Sequence, residues 1–309
     1  MRAAGLGFAI LASLPGLQAF PQASPWDLGA RLAKEGNCAA AVQTLTSALA
    51  SSPAPTAETY LLLSDCDAQM NRPADAERAL RKGLSAHPAS SDLKLALGEL
   101  LLDTQPDSLE AGQLLEHSAR TAPRDPEARH SYARWAYRNL RYRVCAAQEK
   151  AAVLLPGLDD PALLQMNTLL GICSGRVEDA AEARVAFRRA NAINLRQKTY
   201  DPESAWQFVQ FLRRFGEDAE VQSIVGEILE RVPGFGLARL ERAKYLDREG
   251  HPKEAAEAAR LVLQSPGNDL DVEREAHGIL ARSFTALGDT DNASREQAWI
   301  EAHPEPPVK

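Results

Sequence analysis

Residues 57–88 read AETYLLLSDCDAQMNRPADAERALRKGLSAHP, and this stretch contains the pattern that determines the fold. The small residue Ser64 is followed seven residues later by Asn71 and twelve residues later by Ala76, and Pro88 stands twelve residues after Ala76. Asn tolerates the left-handed conformation of tight turns, and proline ends a helix because it lacks a backbone N–H. The spacing therefore predicts a first helix, a tight turn, a second helix and a stop.

The same spacing recurs along the chain. Positions where two antiparallel helices approach closely need small side chains, because bulky ones would push the helix axes apart. A short helix pair cannot bury its apolar face alone, so successive pairs must stack, and we predict an all-α fold, an α-α superhelix (solenoid) of about eight helix pairs. The small, alanine-like and terminating positions of the other pairs are Gly29, Ala41 and Pro53; Gly98, Ala111 and Pro123; Gly171, Ala183 and Leu195; Val209, Val221 and Pro233; Ala243, Ala255 and Gly267; and Ala281 with Ala293. The turn positions are Gly36, Asn71, Gly216, Gly250 and Gly288.

This unit resembles the tetratricopeptide repeat, a helix-turn-helix module of about 34 residues with small residues at these positions and proline at its end. The resemblance covers roughly residues 22–304, and we predict the solenoid over residues 20–309. The segment 126–201 is expected to be irregular, because the spacing of the fourth pair is compressed and Gly175 precedes the turn position of the fifth by three residues.

The first residues of the chain are typical of a secretory leader. Residues 3–17 carry no charge, and residues 17–19 read LQA, a small-residue site of the kind that signal peptidases accept. The run is shorter than the roughly 20 residues that a membrane-spanning helix needs, and Pro15 interrupts it. We predict that residues 1–19 are a signal peptide, that no integral membrane segment is left after its removal, and that the mature protein is periplasmic or secreted. The alternative is the first helix of a cytosolic protein.

The four cysteines form two pairs with the same interval. Cys38 and Cys66 are 28 residues apart, and so are Cys145 and Cys173. Each pair connects the second helix of one repeat to the first helix of the next, which pack together in a stacked solenoid. In an oxidising compartment an even number of cysteines suggests disulfides. We predict bridges between Cys38 and Cys66 and between Cys145 and Cys173; the alternative is four small buried thiols at crowded helix contacts.

Charge and motifs exclude several classes of function. The chain carries 35 Lys and Arg against 42 Asp and Glu, a net charge of −7, whereas a nucleic-acid surface needs a net basic face. Its six histidines are scattered, and no H-E-x-x-H, G-x-S-x-G, Walker or dinucleotide-binding motif occurs. We therefore expect no nucleic-acid partner, no enzymatic activity, no cofactor and no metal site.

The resemblance to tetratricopeptide repeat proteins implies that the first helix of each pair lines a concave groove. This assignment predicts an acidic early half, with Glu58, Asp65, Glu99 and Asp103. It predicts a basic late half whose candidate binding residues are Arg176, Trp206, Arg213, Arg214, Lys244, Arg248 and Arg282. Such segregation would orient an extended peptide or an acidic ligand. The alternative is an ordinary solvated face.

These observations lead to one functional hypothesis and one alternative. We expect a non-catalytic scaffold of the periplasm or cell exterior that binds a peptide or protein along the groove. The Lys and Asn arrangement with which chaperone-binding members of the family clamp a terminal carboxylate is not visible. The alternative is an accessory in cell-envelope polysaccharide or peptidoglycan work, in which the basic late half holds an acidic glycan.

Overall fold

Helices account for 78% of the residues in the computed structural model, which describes residues 24–51, 55–215 and 217–304. In those ranges the chain forms sixteen α-helices and no strand, and consecutive helices make eight pairs. The predicted fold class, an all-α solenoid of about eight helix pairs, is confirmed. The helices are α1 Pro25–Lys34, α2 Cys38–Ser51, α3 Ala57–Gln69, α4 Pro73–Ala86, α5 Ser91–Thr104, α6 Leu109–Thr121, α7 Pro126–Arg138, α8 Tyr142–Ala152, α9 Asp160–Arg176, α10 Ala180–Asn194, α11 Pro202–Arg213, α12 Asp218–Arg231, α13 Gly236–Arg248, α14 Pro252–Leu263, α15 Leu270–Ala286 and α16 Thr290–Ala302.

The turns inside the pairs require the left-handed backbone that the sequence predicts. Asn71 has φ 58°, and Gly36, Gly250 and Gly288 have φ 77°, 77° and 76°. Gly216 lies outside the described residues. These turn predictions are therefore confirmed at the four positions that the structure describes.

Two pairs form the same turn without glycine or asparagine. Leu140 has φ 58° in the fourth pair, and Glu178 has φ 66° in the fifth. Gly175 is not a turn residue, because it lies inside α9, where a Cβ would stand 3.3 Å from the Phe211 ring. In these two pairs, where the sequence spacing is irregular, a residue with a side chain therefore occupies the turn position that is normally taken by glycine.

The close-approach positions are buried as predicted. Ala41, Ala76, Ala183 and Ala255 are fully buried, because each lies where the second helix crosses the first. The eighth pair differs, since Ala293 is only partly buried and α16 has no fully buried residue.

Contacts divide the chain within α5 into two compact units, residues 1–100 and residues 101–309. In the first unit, Cys38, Ala41 and Cys66 form a buried cluster. In the second unit, the largest aromatic cluster surrounds Phe187 and Phe208, whose rings stack 5.5 Å apart. The predicted signal peptide lies outside the described residues, and the extents of leader and solenoid stay predictions.

The segment expected to be irregular contains helices of unequal length. Helix α8 has 11 residues, whereas α9 has 17 and α10 has 15. The Asn194 side chain organises the connection from α10 to α11, because its amide donates to the Asp201 carbonyl at 2.6 Å and accepts from the Asp201 N–H at 2.8 Å. Among the described residues, no helix combines the length and apolar character needed to cross a bilayer.

Candidate functional site

The predicted binding residues all belong to the second unit. Its later first helices, α9, α11, α13 and α15, form what we call the first-helix face, and α9 packs against α11 while α13 packs against α15. Proline at the start of α9 and α11 and an aspartate cap at the start of α9, α11 and α15 fix where these helices begin.

Trp206 belongs to the core of the second unit. Its side chain is 5% exposed, and its ring meets the Phe235 ring edge-on at 6.1 Å. Trp206 therefore packs mainly in the core and also lines a pocket between α11 and α13, and its role in binding stays a prediction.

Most cations of the predicted basic half are neutralised in the structure. Four of the six pair with carboxylates on α12, α13 and α15, which leaves two without a carboxylate partner among the described residues. The pairs are Arg213 with Glu241 at 3.4 Å, Lys244 with Glu275, Arg248 with Asp218 at 3.3 Å, and Arg282 with Asp247 at 2.7 Å. Sequence reasoning missed this pairing because it assigned charges to one helix at a time.

The remaining two cations share a pocket of about 210 Å³ between α9 and α11, which we call the arginine pocket. Arg176 lies at the end of α9, with its guanidinium 5.8 Å from the centre of the Tyr142 ring. Arg214 caps the end of α11, where its Nη1 donates to the Gly175 carbonyl at 3.4 Å. In the part of the chain that the structure describes, neither guanidinium contacts a carboxylate.

A second pocket of about 180 Å³ lies between α11, α13 and α15. Arg213 and Lys244 line it together with the carboxylates that neutralise them. Asp269 and Asp271 add negative charge at its edge. Trp206 lines the same pocket, so three of the candidate binding residues lie together there among charges of both signs.

The residues predicted to form the acidic half occur in both units. In the first unit, Glu58 and Asp65 are exposed on α3, and Asp65 accepts a hydrogen bond from Gln69 at 2.9 Å. In the second unit, Asp103 at the end of α5 accepts from the Arg134 guanidinium at 3.1 Å. Glu99 lies on α5 in the first unit.

The two cysteine pairs differ. Cys145 and Cys173 are joined by a disulfide, with Cα atoms 6.1 Å apart, which links α8 to α9. Cys38 and Cys66 are buried free thiols, so the predicted bridge between them is not formed in this structure and stays a prediction for the oxidised protein. Burial, followed by a hydrogen bond with Cys38, raises the pKa of the Cys66 thiol to about 12.

A repeated His–Glu contact is a feature that sequence reasoning missed. His130 Nδ1 lies 2.6 Å from Glu149 Oε1, and His277 Nδ1 lies 2.5 Å from Glu296 Oε2. Both pairs join the two helices of one repeat, and both are 19 residues apart. That shared interval was the available sequence signal.

Glu149 is fully buried, and its Oε2 has no hydrogen-bond partner. Burial raises the pKa of Glu149, while the hydrogen bond with His130 opposes the shift. Groups of three or more His, Cys, Asp or Glu side chains that could hold a metal ion do not occur among the described residues.

A family model described as "Tetratricopeptide repeat" matches residues 32–100. Comparison with curated proteins finds no match. Among solved structures, a tetratricopeptide repeat protein from Parabacteroides merdae is similar with a TM-score of 0.54 and 13% identity, covering 84% of this chain and 97% of that chain. At this identity the similarity shows the fold.

Two further solved structures have lower structural similarity. The C-terminal part of a TPR repeat-containing protein from Cytophaga hutchinsonii gives a TM-score of 0.46 and 16% identity, over 90% of this chain and 94% of that chain. MamA from AMB-1 gives 0.48 and 20% identity, over 55% of this chain and 98% of that chain. The tetratricopeptide repeat model matches residues 32–100, and helix pairs continue from there to Ala302, so the chain has the fold of tetratricopeptide repeat proteins.

Proposed function

We propose that this protein is an exported, non-catalytic scaffold that binds a peptide or an extended protein segment along the first-helix face. Stacked helical repeats offer long contact surfaces, and the tetratricopeptide repeat fold suggests a protein–protein interaction scaffold. The observation that carries the proposal is the succession of two pockets, the arginine pocket and the mixed-charge pocket, on neighbouring first helices. Two side-chain-sized pockets in a row suit alternate residues of an extended chain.

The balanced charges on this face favour a protein partner over an acidic glycan. A polyanion needs a run of unpaired cations, whereas Arg213, Lys244 and Arg248 have carboxylate partners. An extended peptide with its own mixture of polar and apolar side chains requires no such run. The glycan alternative depended on a basic late half, and these three of its cations are paired with carboxylates.

A peptide-library experiment tests the binding proposal. The purified full chain is incubated with end-blocked random nonapeptides, and hydrogen–deuterium exchange maps the selected peptides. We expect protection of α9, α11 and α13, and no change in the second helices α12 and α14, which line neither pocket. Selected peptides that protect α12 and α14 instead, or a library from which nothing is selected, would refute the proposal.

Export is a separate part of the proposal, and the leader sequence supports it. Expression of the full sequence in a bacterium followed by intact mass analysis of the periplasmic fraction tests it. We expect a product that begins at Phe20, since cleavage after Ala19 is the predicted processing event. An unprocessed chain confined to the cytosol would refute export and leave the binding proposal intact.

A further inference from the structure

The inference concerns the arginine pocket and rests on the proposed function. The first-helix face contains six predicted cations, and four of them are neutralised by carboxylates of the same chain. Arg176 and Arg214 are the exceptions within the described residues, and both line the same pocket. Unpaired cations that converge on one cavity indicate an anionic ligand group.

The other walls of the pocket define the size and character of that group. Phe187 and Phe211 supply an aromatic floor, with their rings 5.4 Å apart. Gln207 and Gln210 line the pocket from α11 and add amide groups that can donate or accept. A cavity of about 210 Å³ with two guanidinium groups, two amides and an apolar floor fits a short aliphatic carboxylate.

Gly171 on α9 leaves room for the Phe187 ring in the pocket floor. A Cβ on Gly171 would lie 2.8 Å from the Phe187 ring, so a larger residue would displace the floor. Arg214 is oriented by its hydrogen bond to the Gly175 carbonyl, and this contact directs its guanidinium toward the end of α9.

We propose that the arginine pocket binds the side-chain carboxylate of an aspartate or glutamate in an extended peptide. The residue's methylene groups rest on the aromatic floor, and its carboxylate accepts hydrogen bonds from Arg176 and Arg214. The pocket gives the scaffold a preference for acidic peptide segments although the protein itself has a net negative charge.

The test uses the full chain, the end-blocked nonapeptide library and the double variant R176Q/R214Q. The wild-type protein should enrich aspartate and glutamate at one peptide position, and the variant should lose that enrichment. For a selected acidic peptide, fluorescence anisotropy should show affinity falling about 10- to 100-fold in the variant, the loss expected for hydrogen bonds to charged groups. Replacing the peptide's acidic residue with its amide should weaken wild-type binding by the same factor and leave variant binding unchanged.

The matched control is the double variant R248Q/R282Q, which removes two cations of the same face that are already paired. It should keep the acidic preference. Enrichment that persists in R176Q/R214Q, or that disappears equally in the control, would overturn the inference.

The failure modes of the two proposals are distinct. Peptides that bind the first-helix face without acidic enrichment refute the inference and leave the proposed function standing. Stronger selection of peptides with a free C-terminal carboxyl than of the same peptides amidated would place a chain end in the pocket and overturn the side-chain assignment. Retention of polygalacturonate through Arg176 and Arg214, without peptide binding, would overturn both proposals in favour of an acidic glycan.

Discussion

Removing the Cys145–Cys173 disulfide should destabilise one repeat junction more than the rest of the protein. The bridge links α8 to α9 and closes a loop of 28 residues, for which chain entropy gives about 3.6 kcal/mol at 25 °C. Because each repeat contacts only its neighbours, this loss should concentrate in α8 and α9.

The double variant C145A/C173A makes the change, with alanine preferred because both positions are fully buried and a serine hydroxyl would be left without a partner. Native-state hydrogen exchange measures the outcome. Amides in α8 and α9 should exchange about 400-fold faster, which is the factor that corresponds to about 3.6 kcal/mol.

The control is C38A/C66A, which removes two buried thiols that are not joined by a disulfide. It should leave exchange in α8 and α9 unchanged. The reasoning is refuted if C145A/C173A exchanges as slowly as the wild type there, or if α13 and α14 accelerate to the same extent.

Two further predictions concern packing and pH. Gly112→Ala should lower the free energy of unfolding by about 1–3 kcal/mol, because a Cβ there would overlap the Trp135 ring. Gly278→Ala is the control, because the nearest atom there belongs to a flexible arginine, and it should be neutral or stabilising by up to about 1 kcal/mol. A guanidinium titration measures both variants. Burial raises the pKa of the Glu149 carboxyl above 4.5, its ordinary value. At pH values between the ordinary and the raised pKa, the folded state binds more protons than the unfolded state, so the free energy of unfolding should increase as the pH falls. Glu149→Gln should flatten that part of the urea-unfolding profile, and a profile that the substitution leaves unchanged would refute the assignment to Glu149.

The fold could be predicted from sequence because its determinants are local and repeated. Small residues at helix crossings and left-handed turn residues recur at a fixed interval, and Ala41, Ala76 and Asn71 occupy the predicted places. The pattern of Gly or Asn at the turn is broken at Leu140 and Glu178. There the surrounding helices hold a residue with a side chain in a left-handed backbone conformation that such a residue disfavours in isolation.

The candidate site was less accessible to sequence reasoning because its chemistry depends on which charges meet. The assignment to first helices placed Arg176 and Arg214 on one face, but it could not separate them from Arg213 and Lys244, whose partners come from the next repeat. The burial of Trp206 likewise depends on the neighbouring α13. Contacts between repeats, rather than within them, determine what this surface offers to a ligand.

The ion pairs that neutralise the first-helix face also act as electrostatic cross-ties. Three of them run from one first helix to the next: Arg213 on α11 reaches Glu241 on α13, while α13 and α15 are tied by Lys244 with Glu275 and by Asp247 with Arg282. Salt screens exposed ion pairs more strongly than buried ones. Glu241 is buried, so we expect added salt to weaken the two ties between α13 and α15 more than the tie between α11 and α13.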